Sequence, residues 1–178
     1  RSDLVPLSCC SVVALSARAT LHAASMGGWR GAIPVVAGVG GLTLSAEAVG
    51  IATGCPVGEY AYSGALGPEL LGVSLLVPLA WLTVAYPPFL IARLLLGVGS
   101  WRPLVARVLP TAHALTARDA LLYPHMADAA NSASANPQPS PPGTPALPLP
   151  HSAGSFVTAV LIPLVLHAAA SLPLHPSP

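Results

Sequence analysis

Lysine is missing altogether. Seven arginines and six acids make up the whole formal charge of 178 residues, 7% of the chain, and they leave a net charge of +1. A water-soluble domain carries about 25% charged residues, so there is too little charge here to cover a globule of this size in water. The same scarcity excludes a nucleic-acid partner, because phosphate binding needs a clustered basic face. Cysteine is nearly as rare. Of three, Cys9 and Cys10 are adjacent, which makes neither a disulfide framework nor a metal-ligand spacing. Small apolar packing residues are the plainer reading. The six histidines, His22, His113, His125, His151, His167 and His175, contain no i, i+4 pair of the kind that helical metal sites use. No internal repeat is visible, and this argues against a transporter built from inverted repeats with Glu47 and Asp119 as a proton path.

What the chain has in abundance is apolar length: 53% of its residues are hydrophobic, with a mean hydropathy of +0.70. A membrane-spanning helix needs about 20 mostly apolar residues. Five runs approach that requirement: Leu4 to Ala24 (interrupted by Arg18), Ala32 to Gly54 (containing Glu47), Leu70 to Leu96, Leu104 to Tyr123, and Phe156 to Leu172 with Pro163 and His167 inside it. The first could instead be a signal sequence, although no basic run precedes it. The expected fold is therefore all-α: a polytopic transmembrane helix bundle of about five spanning helices, forming a single integral membrane domain over residues 1–178. Between the last two runs the chain turns to proline, serine and alanine. That composition favours extended, solvated backbone, so a disordered Pro/Ser-rich loop is expected at 128–150.

Arginine placement suggests an orientation. Arg30 lies between the first two runs, and Arg93, Arg102 and Arg107 flank the connection between the third and fourth. The connections on the opposite side carry Glu59, Glu69 and Asp128 and no arginine. The positive-inside rule puts the arginine side in the cytoplasm, and Trp29 and Trp101 fall at that interface, where aromatic belts belong.

Inside the apolar runs a few polar residues stand out. A charge at the bilayer centre costs about 2.5–3.5 kcal/mol on insertion scales, so an intramembrane acid usually faces another helix or a wet cavity. Glu47 is such an acid. At helical spacing it shares a face with Thr43, Gly50 and Gly54, and Ala46, Gly50 and Gly54 form a small-xxx-small series along which a second helix can approach. Glu47 could be a lock between two helices; protonated in a dry pocket, it could be a general acid. The fourth run holds His113, Thr116, Arg118, Asp119 and Tyr123. Arg118 and Asp119 are sequence neighbours and point about 100° apart on a helix, so each needs a partner elsewhere. Asp119 could approach Glu47, and Arg18 could pair with either acid; a structural interhelical salt bridge is the plainer alternative. After Gly54 comes a turn rich in glycine and proline. Tyr60 and Tyr62, two apart, project to one side if this segment is extended. They are either interfacial anchors or a cation-facing wall.

These residues together resemble a known family. Glu47-Ala48-x-Gly50-x-x-Thr53-Gly54-x-Pro56-x-Gly58-x-Tyr60-x-Tyr62, then Leu66-Gly67-Pro68, Gly72-Val73-x-Leu75 and Val77-Pro78-Leu79-Ala80-Trp81 are similar to the membrane-integral carotenoid biosynthesis proteins, which include the carotenoid 1,2-hydratases and the bisanhydrobacterioruberin-type hydratases. A second block, Arg118 to Met126, aligns with a family segment in which tryptophan stands where this chain has Arg118 and aspartate where it has Tyr123. Val57 stands where the family often has phenylalanine. The resemblance implies hydration of the terminal C=C of an acyclic carotenoid end group, with lycopene, γ-carotene or a C50 precursor-like molecule as substrate, in a bacterial cell membrane. The reaction it implies requires no redox cofactor, and the scattered histidines argue against a metal site. The partners expected are the carotenoid, the lipid bilayer and possible other carotenoid enzymes, with no nucleic acid. The catalytic residues it implies are Glu47 as the acid, Asp119 to position water or stabilise the cation, and Tyr60 and Tyr62 to support the end group. The departures at Arg118 and Tyr123 leave an alternative, a non-catalytic membrane or carotenoid-binding accessory protein.

Overall fold

Gly27 and Gly28 interrupt what would otherwise be one helix of 50 residues, α1, Leu4–Thr53. In the computed structural model, which describes residues 4–54, 60–62, 66–96, 104–106, 108–117, 132–134 and 149–170, Gly27 has φ −140° and ψ 16°, and Gly28 has φ 64° and ψ 179°. The Gly28 conformation is essentially restricted to glycine. The break leaves an N-terminal arm, 4–26, and a C-terminal arm, 29–53, each roughly 35 Å long at 1.5 Å per residue. The arms fold back on one another near the bend. Thr20 lines the same recess as Val36 and Ala37, whereas a straight helix would hold Thr20 and Ala37 about 25 Å apart. The first two expected runs are thus the two arms of α1.

The third run begins later than expected. A helix from Leu70 is ruled out because Glu69–Leu70 (β2) and Val73–Ser74 (β3) form an antiparallel hairpin. Its two-residue connection, Leu71-Gly72, has φ 55° and φ 76°, the positive pair that a type I′ turn requires. Helix α2 then runs Leu76–Leu96. Its start is fixed by Ser74, whose Oγ accepts the Leu76 N–H at 3.3 Å and donates to the Leu66 carbonyl at 3.0 Å, an N-cap joined to the preceding loop. Residues 104–106 and 108–117 are helical and form α3, and Leu149–Ala170 is α4. The last helix therefore starts seven residues before the expected Phe156. Within the Pro/Ser-rich stretch, Ser132–Ser134 form a strand, β4, which pairs antiparallel with β1, Tyr60–Tyr62, in the register Tyr60 to Ser134 and Tyr62 to Ser132.

The helices meet along narrow faces. Ala32, Val35 and Val39 of the C-terminal arm recur at i, i+3 and i+7. Leu82, Ala85, Tyr86 and Phe89 of α2 and Ala159, Ile162 and Leu166 of α4 repeat the pattern, and with Ala112 and Leu115 of α3 they form one buried cluster. α4 approaches α1 closely at Gly38, where a Cβ would lie 2.6 Å from Val165 Cγ1. Away from these faces the helices are apolar and exposed: Leu94 is 83% exposed and Met26 72%. Pro6–Thr53 and Leu76–Leu96 are long and apolar enough to cross a membrane, with only 22% and 33% of their most apolar windows buried inside the protein. That exposure is what lipid, rather than a soluble core, would cover. Hydroxyls on these helices bond their own backbone, as with Thr20 to the Ser16 carbonyl, Thr43 to Val39 and Thr53 to Val49, which satisfies them without water.

Candidate active site

Glu47 lies six residues before the end of α1, about 9 Å along the helix from its terminus, and is half-buried. Thr43 and Gly50, on its face, are buried, as the small-residue pattern requires for close packing. Gly54 ends the helix, its N–H returning to the Gly50 carbonyl at 2.8 Å. The hairpin folds back against this end: Val73 and Ser74 are fully buried, and a Cβ placed on Gly72 would lie 3.8 Å from Ile51 Cγ2.

Across from Glu47 stands α2, antiparallel to the C-terminal arm. Its sixth residue, Trp81, donates its indole Nε1–H to Glu47 Oε1 at 3.4 Å. The contact is at the long end for an N–H···O bond, yet it links residues 34 apart in sequence. Chemically it makes the two carboxyl oxygens unequal. Oε1 accepts the indole proton.

One turn and a half further along α2, Tyr86 is buried, and its hydroxyl lies 3.0 Å from His22 Nδ1 on the N-terminal arm. The two rings meet edge to face at 5.7 Å. A polar bond thus ties each arm of α1 to α2. Neither bond could be read from the sequence: the His22–Tyr86 pair spans 64 positions, and Trp81 stood out only as the end of a motif.

The other residues singled out in the sequence fare differently. The backbone at Tyr60 and Tyr62 is a strand, β1. Asp119, Arg118 and Tyr123 lie outside the described residues. Arg18 is exposed on the N-terminal arm and forms no ion pair among the described residues.

A family model described as "Carotenoid biosynthesis protein" matches residues 7–133, well over half of the chain. The chain belongs to this family. The part of this carotenoid biosynthesis protein that carries the match includes both arms of α1, the hairpin, α2 and α3, and it ends inside β4; α4 lies beyond it. Glu47 and Trp81, the limits of the dense motif, are the two residues whose side chains meet. No curated protein and no solved structure gives a match.

Proposed function

We propose that this carotenoid biosynthesis protein is an integral membrane hydratase that adds water to the terminal C=C of an acyclic carotenoid end group. In this reading each arm of α1 spans the bilayer separately, and Glu47 is the acid. The observation that carries it is the Trp81 bond to Glu47: a carboxyl within an apolar run of α1 accepts an indole N–H from the facing helix.

The chemistry needs little else. The carboxyl proton of Glu47 passes to the less substituted carbon of the trisubstituted alkene, and the π electrons form that C–H bond. A tertiary carbocation and a carboxylate remain. The carboxylate is stabilised by the indole N–H, and the cation by the nearby anion. A water oxygen bonds to the cationic carbon, and the resulting oxonium returns its proton to Glu47. The sum is alkene plus water to tertiary alcohol, with the acid regenerated and no redox change. Asp119 positions the water or stabilises the cation, and Tyr60 and Tyr62 support the end group; these roles come with the family resemblance. A bilayer location suits a substrate that is itself a bilayer solute.

The test is expression of the chain in a bacterial host that accumulates lycopene or γ-carotene, with pigments analysed by mass spectrometry. A pigment heavier by one water, absent in Glu47→Gln, is expected. Full product from Glu47→Gln removes Glu47 from the acid role, and no product from the parent chain despite membrane expression removes the hydratase reading.

A further inference from the structure

Positive charge gathers around one buried hydroxyl between the N-terminal arm and α2. The hydroxyl belongs to Tyr86, which is buried and lies 3.0 Å from His22 Nδ1. His22 itself is exposed. Arg18, one turn before it and about 40° around the helix, is exposed on the same face of the N-terminal arm. Arg93 follows Tyr86 by two turns and shares its side of α2 to within about 20°. It is half-buried, and its charge acts on the Tyr86 hydroxyl.

No carboxylate accompanies these groups. Among the described residues the acids are Glu47 and Glu69. Glu47 is bonded to Trp81, about 18 Å back along α2 from Arg93, and Glu69 belongs to the hairpin at that end of the bundle. Arg18 and Arg93 form no ion pair among the described residues. Like charges held near one another repel, and more strongly where they are partly buried, so the cluster calls for an anion. Its depth says which kind. His22 lies about 6 Å before the end of the N-terminal arm at Met26, and Arg93 about 4.5 Å before the end of α2 at Leu96. In helices of bilayer length these are headgroup depths. Arg18 is about 12 Å from the end of its arm, a costly depth for a charge unless its long stem carries the guanidinium outward to a partner.

We propose that Arg18, His22 and Arg93 form a binding site for the phosphodiester of an anionic phospholipid, which bridges the N-terminal arm to α2. Each guanidinium presents a fork of donors that matches phosphate oxygens. The Nδ1 contact with Tyr86 fixes where the His22 ring stands, and so where its Nε2 meets the headgroup. Basic pockets between spanning helices on the cytoplasmic side suit such headgroups, and this is the side that the arginine distribution assigns to the cytoplasm. A zwitterionic headgroup brings its own ammonium, which the arginines repel, so the site selects for net negative charge. None of this depends on the hydration reaction.

The experiment titrates the purified full chain in a neutral detergent with phosphatidylglycerol and with phosphatidylcholine, and bound lipid is counted by native mass spectrometry. A one-to-one phosphatidylglycerol adduct is expected, with no matching phosphatidylcholine adduct. Arg18→Gln and Arg93→Gln are each expected to weaken it about fivefold, while Arg93→Lys, which keeps the charge, stays near the parent. Tyr86→Phe alters no charge, yet by releasing His22 it is expected to weaken the adduct about two- to twelvefold. Arg30→Gln removes an equal charge beyond the bend and is expected to change the adduct less than about twofold. Helical circular dichroism checks that each variant is folded. Equal retention of the two lipids overturns the site, as does a phosphatidylglycerol adduct unchanged in both glutamine variants. An indifferent Tyr86→Phe with Arg30→Gln as harmful as Arg93→Gln describes a diffuse basic surface and also overturns it. Displacement of the lipid by millimolar inorganic phosphate shows an ion site only and removes the lipid. The pigment assay is separate: selective lipid binding by a chain that makes no hydrated pigment keeps this site and removes the hydratase.

Discussion

Replacing Gly38 by alanine tests the packing of the bundle through the sign of its effect. In an exposed helix this change is stabilising by about 0.5–1 kcal/mol, because alanine has less backbone entropy to lose. At Gly38 the new methyl would sit 2.6 Å from Val165 Cγ1, about 1 Å inside the 3.5–4.0 Å optimum for carbon pairs. Val165 is β-branched and has no alternative rotamer readily available in a helix. The helices must then separate, and Val39, Ile162 and Leu166, all fully buried beside the contact, lose packing. Overfilling of this kind costs about 1–3 kcal/mol, so a net loss of about 1–2 kcal/mol is expected after the helix gain. Equilibrium unfolding of the purified protein in mixed micelles measures it. Gly41→Ala, with nothing within 4 Å of its added carbon, serves as the control and is expected to be neutral or stabilising. Adding Val165→Ala to Gly38→Ala removes the clashing Cγ1 and is expected to restore most of the loss, with a coupling of about 0.5–3 kcal/mol. A Gly38→Ala protein as stable as its parent, or one that Val165→Ala does not rescue, would refute the close approach of α4 to α1.

Three further outcomes are expected. Gly28→Ala forces a side chain into a conformation with φ 64° and ψ 179°, which costs about 1–3 kcal/mol; the same unfolding assay should report that loss. Leu71→Gly relieves a non-glycine residue at φ 55° and should raise stability by about 1 kcal/mol; a loss would mean that the exposed leucine side chain is needed where it stands. Trp81→Phe removes the indole donor from Glu47 but keeps an aromatic ring. It should lower kcat for hydration roughly two- to twelvefold, the effect of one modest hydrogen bond, while the KM for the carotenoid stays near that of the parent.

The alternation of long apolar runs with a few arginines set the helical class, and each of the five runs contains helix where described, because bilayer-length hydrophobicity leaves a chain few ways to satisfy its backbone. Glu47 was visible too, since a carboxyl inside an apolar run is costly wherever it points. Composition missed the local geometry. Leu70 to Leu75 reads as the beginning of a helix by hydropathy alone, yet Gly72 and the Ser74 cap turn it into a hairpin and delay α2 until Leu76. Likewise the gap between the first two runs did not show that Gly27 and Gly28 would break the helix or in which direction the arms would fold.

What only the tertiary structure decided is which side chains meet. Trp81 reaching Glu47 and Tyr86 reaching His22 depend on two helices crossing at particular heights, and hydropathy is blind to rotation and register. The recess beside Trp29 likewise exists because the N-terminal arm folds back far enough to bring Thr20 opposite Val36. By itself the sequence determined an apolar helical chain with an acid in one of its helices. The packing of the arms and α2 gave that acid an indole partner, because a contact between distant residues is a property of the folded path and not of the residues taken one at a time.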